Sequence, residues 1–310
     1  MFASTVETIE IPTADGFAVR GDLYLPAGQP PSGIVILCHG FKGYKSWGFF
    51  PYLATCLSNA GIAACSIDYS FNGTFPEIRD TEDEGNAAHA LTRGASFEKT
   101  RYPRPDLFRN NTVKREYEDL ALVLRFVDEN GLGRRVGPGT PLGLFGHSRG
   151  GVSAFLNALE NDRISALCTW AAPDHPDHFT PKQKARWRQN GEYDFTCASD
   201  GMRLRLSSRY LDDLEGHRDV YDLRRRAIDL HVPHLIVHGK VDLVVAVARA
   251  RSLHEAEHRL QDKRIVILRT GHTFGVTDPP GVAPDEPPRP LVEASSATVE
   301  WYERYLKKGV

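Results

Sequence analysis

The chain has 310 residues, enough for one large α/β domain or two small ones. Its 38 Lys and Arg nearly balance 40 Asp and Glu, giving a formal net charge of −2, so no global field draws it to nucleic acid or anionic lipid. Hydrophobic residues at 41% and charged residues at 25% are ordinary for a globular protein, and no apolar run has the length of a membrane span.

The start reads as a hairpin. VETIEIP and FAVRGDLYLP alternate apolar and polar residues, with a turn at Ala14-Asp15-Gly16. Short, β-branched apolar runs follow, each trailed by a helical pattern. GIVILC (33–38) precedes a helix around 47–60, and IAACSIDYS (62–70) comes next. Residues 114–129 put Tyr117, Leu120, Leu124 and Val127 on one helical face. PLGLFG (141–146) is a strand, and the helix after it carries Val152, Phe155, Leu156 and Leu159 at i, i+3, i+4 and i+7. ISALCTWAA (164–172), HLIVHG (234–239) and RIVILRT (264–270) complete the strands, and 291–307 is a closing helix with a basic tail. Continuously apolar strands alternating with helices imply a mostly parallel sheet covered on both faces, in a single domain spanning 1–310.

Two stretches interrupt the alternation. Residues 71–113 form a long polar loop insertion with an acidic cluster at Glu77–Glu84, and 173–233 leave the carboxyl end of the sixth strand as a helical cap, with patterns at 181–189 and 204–215. The proline-rich 279–290 reads as a rigid loop. The five cysteines (Cys38, Cys56, Cys65, Cys168, Cys197) are odd in number and scattered, as free thiols in a reducing compartment would be. MFASTVETIE has no basic segment followed by an apolar one, so a cytoplasmic protein is expected, and Asn72-Gly73-Thr74 is read as a plain turn.

The chemistry concentrates at Gly146-His147-Ser148-Arg149-Gly150, between the 141–146 strand and an amphipathic helix. A serine on so sharp a turn needs small residues two before and two after it, which Gly146 and Gly150 supply. A serine hydroxyl is a weak nucleophile without a base, and the base needs an orienting acid. Asp242 follows the 234–239 strand and His272 follows the 264–270 strand, so the chain order is Ser148, Asp242, His272. Asp174, after the 164–172 strand, is the rival acid. His238 reads as packing, and His254 and His258, at i, i+4 without a third ligand, as a solvated helix face rather than a metal site. An oxyanion hole needs two backbone N–H groups. Arg149 offers one at a helix N-terminus, and the His39-Gly40-Phe41-Lys42-Gly43 loop offers the other at Phe41.

The pieces "LYLPAG", "ILCHGFKG", "GIAACSIDYSFNG", "FGHSRGG", "VHGKVDLVV" and "TGHTFG" resemble the α/β-hydrolase superfamily over nearly the whole chain. Within it, the chain looks like the esterase and dienelactone-hydrolase-like branch, related to prolyl oligopeptidases and cinnamoyl esterases. The resemblance implies an α/β-hydrolase fold with an antiparallel N-terminal hairpin and a cap after the sixth strand. It implies Ser148 as nucleophile, His272 as base, Asp242 as acid, and Phe41 and Arg149 as oxyanion donors. The expected function is a cofactor-free serine esterase acting on small-molecule esters through an acyl-enzyme. Amidase or peptidase, thioesterase and acyltransferase activities share that triad, and a non-catalytic binding protein on the same scaffold is the reading from a different class. Serine at 148, where dehalogenases and epoxide hydrolases of this fold carry Asp, argues against those chemistries. Lys42, Tyr44, Tyr69, Trp170 and Trp187 are candidates to line the substrate pocket, with Lys42 and Arg149 as candidate anion binders. No nucleic-acid, metal or membrane partner is expected, and homodimerisation is left open.

Overall fold

The computed structural model describes residues 5–74, 104–132, 135–196, 203–276 and 286–307. Most of the 71–113 insertion (75–103, with the acidic cluster), Cys197, residues 279–285 of the proline-rich segment and the last three residues of the basic tail lie outside the described residues. An eight-stranded sheet forms the centre. Its strands are β1 (Thr5–Pro12), β2 (Ala18–Leu25), β3 (Ile34–Cys38), β4 (Ala63–Asp68), β5 (Leu142–His147), β6 (Ile164–Trp170), β9 (His234–Gly239) and β10 (Lys263–Leu268). They lie in the order β1-β2-β4-β3-β5-β6-β9-β10. The β1–β2 hairpin turns where the sequence predicts it, and β2 joins β4 antiparallel. All other pairings within this sheet are parallel.

The central strands are buried along their whole length because helices cover both faces. Alternation along each strand sorts its side chains between two cores. Ile34, Ile36 and Cys38 face α3 (Val113–Asn130), α4 (Arg149–Glu160) and α8 (Val247–Ala256), meeting Leu120, Val123, Phe155 and Leu253. Val35 and Leu37 face α1 (Phe50–Asn59) and α9 (Arg289–Leu306), meeting Phe50, Leu53, Trp301 and Tyr302. A short helix, α2 (Pro105–Arg109), precedes α3. Burial pushes the Cys38 and Cys168 thiols up to about 12, so neither is a reactive thiolate near neutral pH. Among the described residues, no helix is long and apolar enough to cross a membrane.

The 173–233 insertion is not the helical cap that the sequence predicts but mixes helices with a strand pair. It contains α5 (Pro181–Asn190), the antiparallel pair β7 (Glu192–Thr196) and β8 (Arg203–Ser207), α6 (Arg209–Gly216) and α7 (Leu223–Arg226). Helix α5 starts on a Thr180–Gln183 capping box with Pro181 in its first turn, and Gly191 ends it at φ 72°. The helix expected over 204–215 is split. Arg203-Leu204-Arg205-Leu206 has period two, which buries Leu204 and Leu206 together on one face of a strand, and α6 begins only after Ser208. The insertion has its own aromatic core. Trp187 is fully buried, stacks on Tyr210 at 5.7 Å between ring centroids, and donates its indole N–H to the Leu206 carbonyl at 3.0 Å. Phe179, Tyr193 and Phe195 pack around it.

Candidate active site

The carboxyl ends of β3, β5, β9 and β10 carry the loops that hold the predicted site residues. Ser148 follows β5 with φ 54° and ψ −126°, a conformation an L-residue enters at a cost of about 1–3 kcal/mol. Its N–H donates to the Trp170 carbonyl on β6 at 2.8 Å, and its carbonyl accepts from Gly151 N–H as α4 begins. The flanking glycines are required by contact. A Cβ on Gly146 would lie 2.4 Å from the Gly150 carbonyl oxygen, and one on Gly150 would lie 2.4 Å from the carbonyl oxygens of both Cys38 and His39. All are main-chain atoms that cannot swing away. Gly150→Ala should therefore displace the turn and cost about 3 kcal/mol; a urea midpoint equal to that of the wild type would contradict this.

Asp242 and His272 meet. Nδ1–H of His272 donates to Asp242 Oδ2 at 2.8 Å, while Asp242 Oδ1 accepts the N–H groups of Val244 and Val245 at 2.8 and 2.9 Å. Burial works to raise the Asp242 carboxyl, but the imidazole and the two amides outweigh it and hold it below its ordinary range. The acid and histidine loops are joined along the main chain, with Lys240 N–H donating to Leu268 O at 2.7 Å and Val241 N–H to Thr270 O at 3.1 Å. Asp174, the rival acid, is committed elsewhere: its Oδ1 pairs with Arg249 Nη1 at 2.5 Å.

Two histidines to which the sequence assigned no role in the site, His147 and His238, support this pair. His147 is buried, and burial, followed by the neighbouring His272, pushes its pKa down to about 3. It is therefore neutral, and its Nε2–H donates to the His272 carbonyl at 3.1 Å. Its ring lies 4.8 Å from the His272 ring and stacks against Trp47. His238, expected only to pack, donates Nε2–H to Val245 O at 2.8 Å, with the same nitrogen 3.4 Å from Asp242 Oδ2. It braces the acid loop from below. The signal for both was a polar ring at the end of an otherwise apolar strand.

The loop after β3 lies against the serine. A Cβ on Gly40 would come within 2.8 Å of Ser148 Cβ, so only glycine fits there. Gly43 N–H donates to Gly40 O at 2.9 Å, closing a turn over Phe41 and Lys42, with Lys42 at φ 62°. Beneath the turn, His39 Nδ1–H donates to Gly40 O at 2.8 Å. Asn72 donates to Asp68 Oδ1 at 2.9 Å and to His39 Nε2 at 3.3 Å, and Lys45 N–H donates to Asp68 Oδ1 at 2.7 Å. Burial pushes the Asp68 carboxyl up to about 7, against the pull of Lys45. From about pH 4 to pH 7 the folded chain thus keeps a proton that the unfolded chain releases. The stability Asp68 contributes is complete below pH 4 and lost as pH rises to 7, each tenfold difference in proton affinity between the two states being worth about 1.4 kcal/mol. Unfolding midpoints of Asp68→Asn relative to wild type should therefore rise across that window and level off above it. A pH-independent difference would refute the assignment.

The expected pocket residues fall in different places. Tyr69 and Trp170 are fully buried core residues, Trp170 donating its indole N–H to Thr298 Oγ1 at 2.9 Å. Trp187 is the centre of the cap core, and Tyr44 is buried. Lys42 Nζ donates to the Thr196 carbonyl at 3.2 Å, linking the loop after β3 to β7. The Arg149 side chain is not on the surface either; it is buried in an ion pair with Glu116.

No family model and no curated protein matches the chain. Solved structures do. The esterase domain of a Rhodothermus marinus protein superposes with a TM-score of 0.61 at 19% identity, over 97% of this chain and 99% of that one. Est1E from Butyrivibrio proteoclasticus gives 0.63 at 17% over 97% and 99%, and a dienelactone hydrolase from Anabaena variabilis gives 0.56 at 20% over 97% and 98%. This is the α/β-hydrolase fold. In this α/β-hydrolase frame, the β5–α4 turn, the loop after β9 and the loop after β10 occupy one end of the sheet, and Ser148, Asp242 and His272 are found on them.

Proposed function

We propose that the protein is a serine hydrolase that cleaves carboxylic esters of small molecules, with Ser148 as nucleophile, His272 as general base and Asp242 as its orienting acid. One observation carries the reading: an imidazole held in a single tautomer by an amide-anchored carboxylate, on loops joined to the strained serine turn through His147. A carboxylate oxygen can only accept, so in this reading His272 carries its ring proton on Nδ1 and offers Nε2 as the base. Nε2 takes the Ser148 proton as Oγ attacks the ester carbonyl carbon. The carbonyl oxygen becomes an oxyanion, received by the N–H groups of Phe41 and Arg149. His272 then protonates the departing alkoxide, leaving an acyl-Ser148. Water, deprotonated by the same nitrogen, attacks the acyl carbon, and collapse of that second oxyanion releases the acid and restores Ser148. The fold is shared with esterases, and one structure of Est1E holds ferulic acid, an aromatic carboxylic acid, so esters are the natural first substrates to try, with a p-nitrophenyl ester as the chromogenic probe.

The test treats purified protein with a fluorophosphonate and follows p-nitrophenyl butyrate turnover in parallel. The expected result is one adduct by intact mass, mapped to the peptide carrying Ser148, with loss of turnover in proportion to labelling. Turnover that survives complete labelling, or folded protein that takes no label, would refute the serine mechanism.

A further inference from the structure

Arg149 contributes more than a main-chain N–H. Its guanidinium carbon lies 4.4 Å from the centre of the Phe41 ring and 5.5 Å from that of Tyr210. Nη1 donates to the Tyr210 hydroxyl at 3.3 Å, and Nη2 is paired with Glu116 Oε1, which also accepts from Asn111 Nδ2 at 2.9 Å. The side chains of Arg149 and Glu116 are 8% and 1% exposed. We propose that the Arg149 side chain, held by Glu116, is a positioning residue that fixes the separation of the two oxyanion donors and ties both to the cap. The proposal rests on the serine-hydrolase reading above.

The geometry supports this in three ways. One proposed donor belongs to Arg149 itself and the other to Phe41, and the guanidinium spans the gap between them by covering the Phe41 ring. The same guanidinium contacts Tyr210 of α6, and Phe195 of β7 packs edge-on against Phe41 at 4.8 Å, so the cap is seated on the same unit. A buried ion pair is also a poor way to gain stability, because an apolar pair of similar volume often does as well or better. Its placement on the first turn after the nucleophile therefore calls for another reason. Oxyanion donors act over a narrow range, about 2.7–3.1 Å from the developing charge. A planar cation that stacks on one aromatic ring while pairing with a carboxylate holds such a distance, which a lysine ammonium cannot do in the same way. With Glu116 neutralising it, Arg149 is not a receptor for an anionic substrate.

The test compares wild type, Arg149→Lys and the double variant Glu116→Gln/Arg149→Met, which leaves no unpaired buried charge and should fold. Each is assayed for kcat and KM with p-nitrophenyl butyrate, per active site titrated by fluorophosphonate. Each is also assayed for inhibition by an alkyl trifluoromethyl ketone. There Ser148 Oγ bonds to the ketone carbon, His272 takes the proton, and the ketone oxygen becomes the anion in the oxyanion hole. The expected result is a kcat lower by about 10- to 100-fold in the double variant and less in Arg149→Lys. KM should stay within about threefold, and ketone affinity should fall by the same factor as kcat/KM. Unchanged kcat and ketone affinity per titrated site, even with reduced thermal stability, would make the pair structural only and overturn the proposal. So would a loss confined to KM, or a double variant that does not fold while Arg149→Lys is fully active. A wild type that takes no label takes down the serine reading and this one together; a wild type that labels while the variants keep their kcat sinks this one alone.

Discussion

Ser148→Ala should lower kcat for p-nitrophenyl butyrate by about 10⁴- to 10⁶-fold while leaving the thermal midpoint within about 2 °C of the wild type. On the proposed mechanism the loss is large because the attacking atom is gone, and among the described residues the thiols nearest in the sheet, Cys38 and Cys168, are buried. Stability should hold because alanine meets the same backbone demand at φ 54° that serine does. Glycine does not pay that steric cost, so Ser148→Gly should be equally inactive yet more stable than Ser148→Ala by about 1 kcal/mol. That pair of variants separates strain from chemistry. An alanine variant retaining more than about 1% of the rate would refute the nucleophile assignment, and a glycine variant no more stable than the alanine variant would remove the claim of strain.

Asp242→Asn should cost about 10³- to 10⁴-fold in kcat, by a different route. The N–H groups of Val244 and Val245 both point at Oδ1, so an asparagine must turn its carbonyl oxygen toward them. Its NH₂ then faces His272 Nδ1, which has to become an acceptor. The ring proton moves to Nε2, the position needed to receive the serine proton, and the base is lost without any loss of shape. The predicted signature is a wild-type melting profile, slow fluorophosphonate labelling, and ring-nitrogen NMR shifts showing the proton on Nε2. Activity within tenfold of wild type would show that Asp242 does not set the tautomer.

Much of this architecture is legible in the sequence because local patterns and global fold agree. Ile34–Cys38, Leu142–His147 and His234–Gly239 are largely apolar runs without polar alternation, and they form strands buried on both faces. Gly146 and Gly150 can be read because the reason for them is steric and local. What escapes depends on distant parts of the chain. The β7–β8 pair is hidden because Leu204 and Leu206 also fit a helical pattern that runs on to Glu215, and the partner that makes the alternation meaningful lies before a loop. Trp170 and Trp187 read as pocket residues on composition alone, but a large ring near a strand end or in a cap serves equally as core, and only tertiary packing decides. Glu116 does leave a trace. It falls on the same helical stripe as Leu120, Leu124 and Val127, and a carboxylate on a buried face requires a buried cation, here Arg149.

The division of the site among strands sets when it can exist. The serine turn needs only β3, β5 and β6, whereas His272 hangs from β10, which joins the sheet solely through β9, and β9 itself pairs with β6 only after the whole 173–233 insertion has been traversed. A chain emerging from the ribosome can therefore complete its central strands well before the three loops of the proposed site can meet. Pairings that span so much sequence are the slow ones. If the proposed activity holds, recovery of p-nitrophenyl butyrate turnover in refolding from denaturant should trail the return of helical signal, making turnover a reporter of the last edge of the sheet to close.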